Sequence, residues 1–215
     1  MAKKGESVVL SYHDTLIYES DLDLLTGPHW LNDTIIGFYL EYLNRELFPN
    51  SVICFIGPEV TQCLKLAPHS DTSMFLDPLE FKEKSFAVMP LNDCDDPGSA
   101  GGSHWSLLVY SRPEASFFHI DSSQGSNSHH AQLLASKISQ YIGRGLGVGC
   151  DFRTLNSLQQ TNNYDCGVFV LCNIDNIAHY ILKNNRVSGA DLVRDVQVAK
   201  KRREVRQLIE GLARN

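Results

Sequence analysis

Long hydrophobic runs are missing from this chain of 215 residues. None approaches the ~20 consecutive apolar residues that a membrane-spanning helix needs, which argues against a membrane partner. Residues 1–6 carry positive charge, but no apolar core follows them, so they do not resemble a secretory signal. We therefore expect an intracellular protein, in the cytoplasm and/or the nucleus.

Paired metal-binding cysteines are also missing. The sequence has six cysteines, but none forms a C-x-x-C pair and no Cys/His cluster has zinc spacing. Without a secretory signal, the thiols are expected to stay reduced. We expect no metal and no cofactor. His129-His130 allows either a metal ligand pair or a polar loop, and the loop is the simpler interpretation.

The sequence has no Pro/Ser/Gly-rich linker and no internal repeat. With 43% hydrophobic and 20% charged residues, it predicts one compact domain over residues 1–215, with residues 1–7 as a disordered tail. The net charge of −6 argues against nucleic acid as a partner. We expect a monomer. The basic run 200–203 allows a nuclear import signal or, more simply, the solvated face of a helix.

Hydrophobic periodicity predicts strands in the middle of the chain and helices on either side, which is an α+β class. The first regular element is expected to be a helix over residues 30–47, capped by Asn32 or Asp33. Further helices are expected at 58–66, 131–142, from 165 onward and at 190–213. Extended segments are expected at 51–56, 85–91, 105–110, 116–121 and 148–155.

Two of these strands predict a specific pairing. If residues 105–110 and 115–121 form an antiparallel hairpin with a loop at 111–114, His104 lies directly opposite Asp121 on one face of the sheet. Trp105, Leu107 and Val109 then point to the opposite face, as a core requires. A carboxylate beside an imidazole orients the ring and stabilises its protonated form.

Cys166 stands where a polar loop meets the start of a predicted central helix. A thiolate is the useful nucleophile, and the positive end of a helix favours an anion. Gly167 leaves room for a substrate backbone to approach. Taken alone, a buried structural cysteine is the simpler interpretation, because free cysteines are often buried and inert, as Cys172 illustrates.

Candidate residues are also present for the base and for the oxyanion donor of an acyl-transfer site. His104 follows a glycine-rich loop and supplies a base of near-neutral pKa. The amide of Gln160, together with the backbone N–H of Cys166, provides an oxyanion hole. Gln159 is a rival for that role, and a polar loop is the simpler interpretation of both glutamines.

The order of these motifs resembles the ubiquitin-like-protein-specific proteases, also called sentrin-specific proteases. The matching pieces are His104-Trp105-Ser106-Leu107-Leu108, His119-Ile120-Asp121-Ser122, Gln160 through Gly167, and Trp30-Leu31-Asn32-Asp33. Within the family, the chain is most similar to the short deneddylases, which act on the Nedd modifier. Segments 55–62 and 74–79 and the pair Ser11-Tyr12 carry that further likeness.

The resemblance implies a papain-like fold in which the catalytic order is permuted to His-Asp-Gln-Cys around a central mixed sheet flanked by helices. It implies hydrolysis after the C-terminal Gly-Gly of a ubiquitin-like modifier, in precursors or conjugates. Cys166 would be the nucleophile, His104 the base, Asp121 its orienting carboxylate and Gln160 the oxyanion donor.

The resemblance also implies a channel for the modifier's tail. Trp30 and Trp105 would line it, although each is otherwise an ordinary core aromatic. A slot between two indoles selects Gly-Gly by excluding larger side chains. Asp33, Asn92 and Ser103 match positions that touch the modifier near its tail. The loop 92–103 differs in length from the relatives' loop, which weakens the match of Asn92, and either closes over the tail or is simply exposed.

Three alternatives remain open at this point. The same chemistry acts on a SUMO-type modifier in other members of the family. Some bacterial acetyltransferases share the catalytic order but use acetyl-coenzyme A, for which no basic cluster adjoins the catalytic motifs. A binding module that kept the fold without activity is the third alternative, and the presence of all four chemical roles argues against it.

Overall fold

The computed structural model describes residues 6–96, 101–143 and 149–214. Its strands are β1 Val8–Tyr12, β2 Thr15–Tyr18, β3 Ile53–Phe55, β4 Phe86–Asn92, β5 Trp105–Ser111, β6 Ser116–Ile120 and β7 Asp151–Leu155. Its helices are α1 Glu19–Asp23, α2 Asp33–Tyr42, α3 Pro58–Leu66, α4 Thr72–Leu76, α5 Ser128–Tyr141, α6 Cys166–Asn184 and α7 Asp195–Leu212. None of the helices in these ranges is both long and apolar enough to cross a bilayer.

The central sheet contains five strands within the described residues, in the order β3-β4-β5-β6-β7. The middle pairs, β4 with β5 and β5 with β6, are antiparallel, whereas the outer pairs are parallel. Helices lie on both sides of this sheet, so the predicted α+β class with a mixed sheet is confirmed.

Both faces of the sheet are buried, each in its own hydrophobic cluster. On β5, Leu107 and Val109 pack into the cluster that contains α2, α6 and α7, while Leu108 and Tyr110 pack into the cluster that contains α3 and α5. Burial of both faces explains why β4 and β5 are almost continuously apolar rather than alternating.

The hairpin of β5 and β6 forms, but its predicted register was wrong. Val109 pairs with Phe118 and Ser111 with Ser116, so the loop is 112–115 rather than 111–114, and Ser106 rather than His104 is aligned with Asp121. The turn is closed by a hydrogen bond from Ala115 N to Arg112 O at 3.1 Å, which lets the strands pair one residue further. Each residue of β5 therefore pairs two positions further along β6 than predicted. Because side chains alternate between faces every residue, a shift of two leaves each side chain on its predicted face of the sheet.

The N-terminal part of the chain holds elements that the periodicity did not predict. β1 and β2 form an antiparallel hairpin whose side chains Leu10, Tyr12 and Ile17 are buried, so the helix near residue 30 is not the first element. His13 takes a positive φ of 46° in the tight turn, a conformation for which glycine is the usual signal. Of the expected tail, residues 1–5 lie outside the described residues, and Ser7 O accepts a hydrogen bond from Glu19 N.

The two helices that border the site begin in different ways, since a side-chain cap is present on α2 and absent from α6. α2 begins after Asn32, whose side chain accepts a hydrogen bond from Ile35 N at 3.0 Å, so Asn32 rather than Asp33 is the cap. α6 begins at Cys166 with Asp165 at its N-cap position. Its first turns are buried on every side, and Asn173 is buried as well; the Asn173 side chain accepts a hydrogen bond from Val193 N.

The basic run 200–203 is not the solvated face that its composition suggests. Lys201 is 7% exposed, and its Nζ lies 2.5 Å from the Asp175 carboxylate. Arg202 points toward the loop that precedes α6 and ion-pairs with Asp165. Lys201 and Arg202 therefore face the interior of the protein, whereas Lys200 and Arg203 are exposed.

Candidate active site

A cavity of about 460 Å³ opens where α6, β5 and the segment before α2 meet. Its walls come from four separate parts of the chain: Trp30, Leu31, Asn32, Asp33, Pro58, Glu59, Gln62, Cys63, Asn92, Cys94, Gly101, Gly102, Ser103, His104, Trp105 and Cys166. Seven of the nine predicted site residues line it; Asp121 and Gln160 lie outside the wall.

Cys166 is the first residue of α6 and lines this cavity, although only 2% of its surface is exposed. The thiol therefore lies at the positive end of a helix whose first turns are fixed in the core. Cys172, deeper in the same helix, is buried away from the cavity, and burial raises the pKa of its thiol to about 12. The two cysteines thus occupy different environments, as the sequence predicts.

His104 joins the cysteine to a carboxylate. Its Nε2 lies 2.6 Å from Asp121 Oδ1, even though the two residues are not aligned across the hairpin. Cys166 lines the same cavity as His104, and the two side chains are close enough for the thiol to influence the pKa of the imidazole. The structure therefore brings the predicted cysteine, histidine and aspartate into one contiguous chain of contacts.

Electrostatics at this trio favour an ion pair. Burial alone would lower the pKa of His104, but hydrogen bonds and charge from Asp121 and Cys166 raise it to about 9. Burial alone would raise the pKa of Asp121, but hydrogen bonds from His104 and from the backbone N–H groups of Asn127 and Ser123 lower it. At neutral pH the imidazole is thus held protonated beside an ionised carboxylate.

The two candidate oxyanion donors differ in how their amides are used. Gln159 donates from Nε2 to Asp121 O and to Ser157 O, each at 3.0 Å, so both amide hydrogens have partners. Gln160 accepts from Ser122 Oγ at 2.7 Å and donates from Nε2 to Asn162 O at 2.7 Å. Among the described residues, these contacts orient the Gln160 amide and occupy only one of its two N–H groups.

The two tryptophans both line the cavity, and neither is a fully buried core residue. Trp30 is 47% exposed, and its Nε1 donates to Asn163 O at 2.5 Å. Trp105 is half-buried, and its Nε1 donates to Leu31 O at 3.0 Å. Each indole is therefore fixed by its polar edge while its ring borders the cavity.

The loop on the far wall is anchored by a residue that the sequence analysis missed. The Asp93 carboxylate accepts hydrogen bonds from the backbone and hydroxyl of Ser103, both at 2.6 Å, and from His104 N at 3.0 Å. Gly102 takes a φ of +100°, and a Cβ there would come within 1.9 Å of Asn92 Oδ1. The wall that carries Asn92 and Ser103 is therefore rigidly connected to the histidine.

Asn127 is a second residue that the sequence analysis missed. It is fully buried; its backbone N–H donates to Asp121 Oδ2 at 3.0 Å, and its side chain donates to Leu91 O and Ser106 Oγ, both at 3.1 Å. The sequence does contain a signal for the start of a helix here, because asparagine is common at the residue that precedes the first turn. The sequence pattern predicts that this helix starts at 131, whereas α5 begins at Ser128, directly after Asn127.

Gly167 does not serve the predicted purpose. A Cβ at this position would lie 3.0 Å from Leu31 Cβ and 3.5 Å from Ile36 Cδ1. The space beside this glycine is therefore occupied by the protein's own side chains rather than held open for a substrate. Gly167 lets α6 pack closely against the segment that carries Trp30.

The arrangement can perform covalent acyl transfer. It provides a thiol at a helix N-terminus, an imidazole to exchange protons, a carboxylate to orient that imidazole and an amide with a spare N–H. Within the described ranges, no group of three or more His, Cys, Asp or Glu side chains has an arrangement that could hold a metal. His129 and His130 are neighbours at 6.0 Å between ring centroids on α5.

Comparison with known proteins shows to which protein family this chain belongs. Residues 29–210 match the Ulp1 protease family, C-terminal catalytic domain. The chain belongs to the Ulp1 protease family. It is therefore a cysteine-type protease, and the family resemblance and enzyme class that the motifs predict are confirmed.

Relatives within the Ulp1 family extend over almost the whole chain. Sentrin-specific protease 8 of Rattus norvegicus is 40% identical over 212 residues, which is 97% of this chain and 97% of the relative. NEDD8-specific protease 1 of Arabidopsis thaliana is 36% identical over 166 residues, covering 76% of this chain and 72% of the relative.

The fold is also that of solved members of the Ulp1 family. The X-ray structure of the C-terminal Ulp1 protease domain in complex with Smt3, the yeast ortholog of SUMO, has a TM-score of 0.75 and 19% sequence identity. It covers 100% of this chain and 91% of that one. The predicted papain-like fold with permuted catalytic order is confirmed at the level of architecture.

Proposed function

We propose that this protein is a deneddylase, a thiol protease that hydrolyses the peptide or isopeptide bond after the C-terminal Gly-Gly of the Nedd modifier. The observation that carries the proposal is the pairing of His104 with Asp121 at 2.6 Å and with Cys166 in the wall of a cavity. The relatives named as sentrin-specific protease 8 and NEDD8-specific protease 1 support Nedd as the modifier. Both precursor processing and removal from conjugates follow from one chemistry.

The reaction begins with an attack by the Cys166 sulfur on the carbonyl carbon of the modifier's last glycine. The amide of Gln160 and the backbone N–H of Cys166 stabilise the oxyanion that forms. We prefer Gln160 to Gln159 because only Gln160 keeps an N–H without a partner in the interactions described above. His104 takes the proton of the Cys166 thiol and gives it to the leaving amine as the C–N bond breaks, which leaves a thioester on Cys166. Water then attacks the thioester, and the C–S bond breaks to release the modifier and restore the thiol.

The channel for the tail is proposed to run between Trp30 and Trp105. Both rings border the cavity, and Gly101 and Gly102 also line it. A chain without side chains fits such a slot, whereas any Cβ in the substrate meets an indole. We propose that Asp33, Asn92 and Ser103, which also line the cavity, contact the residues just before the Gly-Gly.

A SUMO-type modifier is the first alternative, because the solved Ulp1 complex contains Smt3. That similarity, at 19% identity, concerns the fold, whereas the relative named as NEDD8-specific is 36% identical. An acetyl-coenzyme A-dependent transferase needs cations for the cofactor's phosphates. Among the described residues, the cavity wall holds Asp33 and Glu59 but neither Lys nor Arg, which favours the hydrolase.

A side-by-side cleavage assay tests the proposal. Purified precursors of Nedd, SUMO and ubiquitin are incubated with the unmodified chain and with Cys166→Ala. We expect cleavage of the Nedd precursor at a kcat/KM at least about 10²-fold above the others. Cys166→Ala should abolish cleavage while binding Nedd with unchanged affinity. Turnover by Cys166→Ala, or faster cleavage of the SUMO precursor, would contradict the proposal.

The remaining expectations are proposals of the same kind. We propose a single catalytic domain that acts as a monomer without nucleic acid, in the cytoplasm and/or the nucleus. The described cysteines include no disulfide, which suits a reducing compartment. Fluorescence microscopy of a tagged chain and light scattering of the purified protein test the compartment and the monomer.

A further inference from the structure

Arg202 of α7 contacts two segments that border the active site, although it touches neither the cavity nor the catalytic trio. Its Nε and Nη2 lie 3.1 and 2.8 Å from Asp165 Oδ1. Its Nη2 also donates to His29 O at 2.7 Å and to Tyr164 O at 3.1 Å, and its Nη1 donates to Leu24 O at 2.7 Å. One guanidinium therefore joins the C-terminal helix to the loops before Trp30 and before Cys166.

The site around Arg202 is largely shielded from water. The side chains of Arg202 and Asp165 are 13% and 16% exposed, and the aliphatic stem of Arg202 packs against Gly27, where a Cβ would lie 3.6 Å from its Cδ. The planar fork of donors matches several acceptors at once, which a lysine ammonium cannot reproduce. An ion pair in such a setting is screened much less than one on the surface.

The contacts continue from Arg202 toward the proposed oxyanion donor. Asp165 Oδ2 accepts from Asn162 Nδ2 at 2.8 Å, and Asn162 O accepts from Gln160 Nε2 at 2.7 Å. Asp165 also directly precedes Cys166 and occupies the N-cap position of its helix. The Cys166 sulfur and the Gln160 amide are thus both connected to one hydrogen-bonded loop, and Arg202 binds that loop through Asp165.

A second contact of Arg202, to His29 O, connects it to the proposed slot between the tryptophans. His29 directly precedes Trp30, and the Trp30 indole donates to Asn163 O within the same loop that carries Asp165. The segment before α2 and the loop before α6 are therefore connected twice, once through the indole and once through the guanidinium. Loss of the guanidinium would remove one of these two connections.

We propose that Arg202 is a positioning residue for the reaction: its guanidinium fixes the loop 160–165 against the segment 24–30, so that Cys166, Gln160 and Trp30 keep the spacing that acyl transfer needs. This inference rests on the proposed function. A misplacement of reacting groups by about 1 Å costs about 10²-fold in rate, so the loss of this connection should lower kcat rather than only stability.

The test compares Arg202→Ala and Arg202→Lys with Arg206→Ala as a matched control. Arg206 lies one turn further along α7, and its Nε contacts Glu210 at 2.8 Å. Kinetics on the Nedd precursor are measured well below the melting temperature of each variant. We expect kcat to fall at least about tenfold in Arg202→Ala, to be partly restored in Arg202→Lys, and to stay within about twofold in Arg206→Ala.

A second measurement needs no modifier, so it separates this inference from the proposed function. Iodoacetamide alkylation of Cys166 is followed by peptide mass spectrometry, with the exposed Cys63 as an internal reference. Arg202→Ala should slow alkylation of Cys166 relative to Cys63 by at least about fivefold. Unchanged alkylation and kcat in folded Arg202→Ala would overturn the inference; should that variant not fold, a kcat within about twofold in Arg202→Lys would overturn it equally.

Discussion

The His104 imidazole lies between a carboxylate and a thiol, and both neighbours stabilise its protonated form. The raised pKa of about 9 means that the ring keeps its proton through neutral pH and loses it only in alkaline solution. The leaving amine requires that proton. We therefore expect the pH profile of kcat/KM to fall on its alkaline side near pH 9.

Asp121→Asn tests the origin of that alkaline limit. The substitution removes the charge that raises the pKa of His104, so the pKa should fall toward its ordinary value of about 6.5. The alkaline side of the profile should then move to lower pH, and kcat at pH 7.5 should drop at least about 10²-fold. A profile with an unchanged alkaline side would show that Asp121 does not set the protonation of His104.

Gln160→Ala tests the oxyanion donor. The loss of one such donor typically costs about 10²- to 10³-fold in kcat with little change in KM. Gln159→Ala is the matched control, since that amide is occupied by Asp121 O and Ser157 O, and it should cost less than about tenfold. A larger effect at Gln159 than at Gln160 would reverse the assignment.

Among the residues, those with a chemical role could be predicted from sequence, while those that hold them could not. Cys166, His104 and Asp121 carry recognisable chemistry at recognisable spacing, and the structure brings them together. Asp93 and Asn127 act through backbone hydrogen bonds to those residues. Such contacts depend on how distant segments pack, which neither residue type nor spacing specifies.

Helices and strands with strong periodicity were predictable, and their exact alignment was not. The central strands and α6 were found because their apolar patterns are long. The hairpin register was wrong because it depends on the geometry of a four-residue turn at 112–115. The β1–β2 hairpin was missed because its turn uses His13 at positive φ rather than glycine.

Lys137 illustrates an element held by a single buried cation. From α5 its Nζ donates to Leu64 O at 2.7 Å, Lys65 O at 3.0 Å and Ala67 O at 2.5 Å, which are carbonyls at the end of α3. Carbonyls at a helix C-terminus have no partner within the helix, and cations are favourable there. Burial lowers the pKa of this ammonium.

We expect Lys137→Met to lower the free energy of unfolding by about 2–4 kcal/mol, since it leaves those carbonyls without a donor. Denaturant unfolding measures this change, with the exposed Lys200→Met as control, for which a change below about 0.5 kcal/mol is expected. Because Lys137 lies outside the cavity wall, kcat of the folded variant should stay within about twofold. Equal stability of the two variants would contradict the structural role.

At the scale of the whole molecule, the site is assembled from parts that are far apart in sequence. The segment around Trp30, residues 92–94 and 101–105, and the start of α6 meet at one cavity. Arg202 of α7 contacts two of these parts, because it donates to Leu24 O and to the Asp165 carboxylate. The basic run 200–203 could not reveal this from sequence, because only its packing shows which of its members face inward.

The most direct test of the central claim uses a Nedd modifier whose C-terminal glycine bears a thiol-reactive electrophile. We predict that it attaches covalently to the folded chain in a one-to-one complex, that peptide mapping places the adduct on Cys166, and that His104→Ala slows its formation at least about 10²-fold. SUMO and ubiquitin probes of the same design should react far more slowly. An adduct on Cys63 or another cysteine, or equal labelling in His104→Ala, would contradict the account.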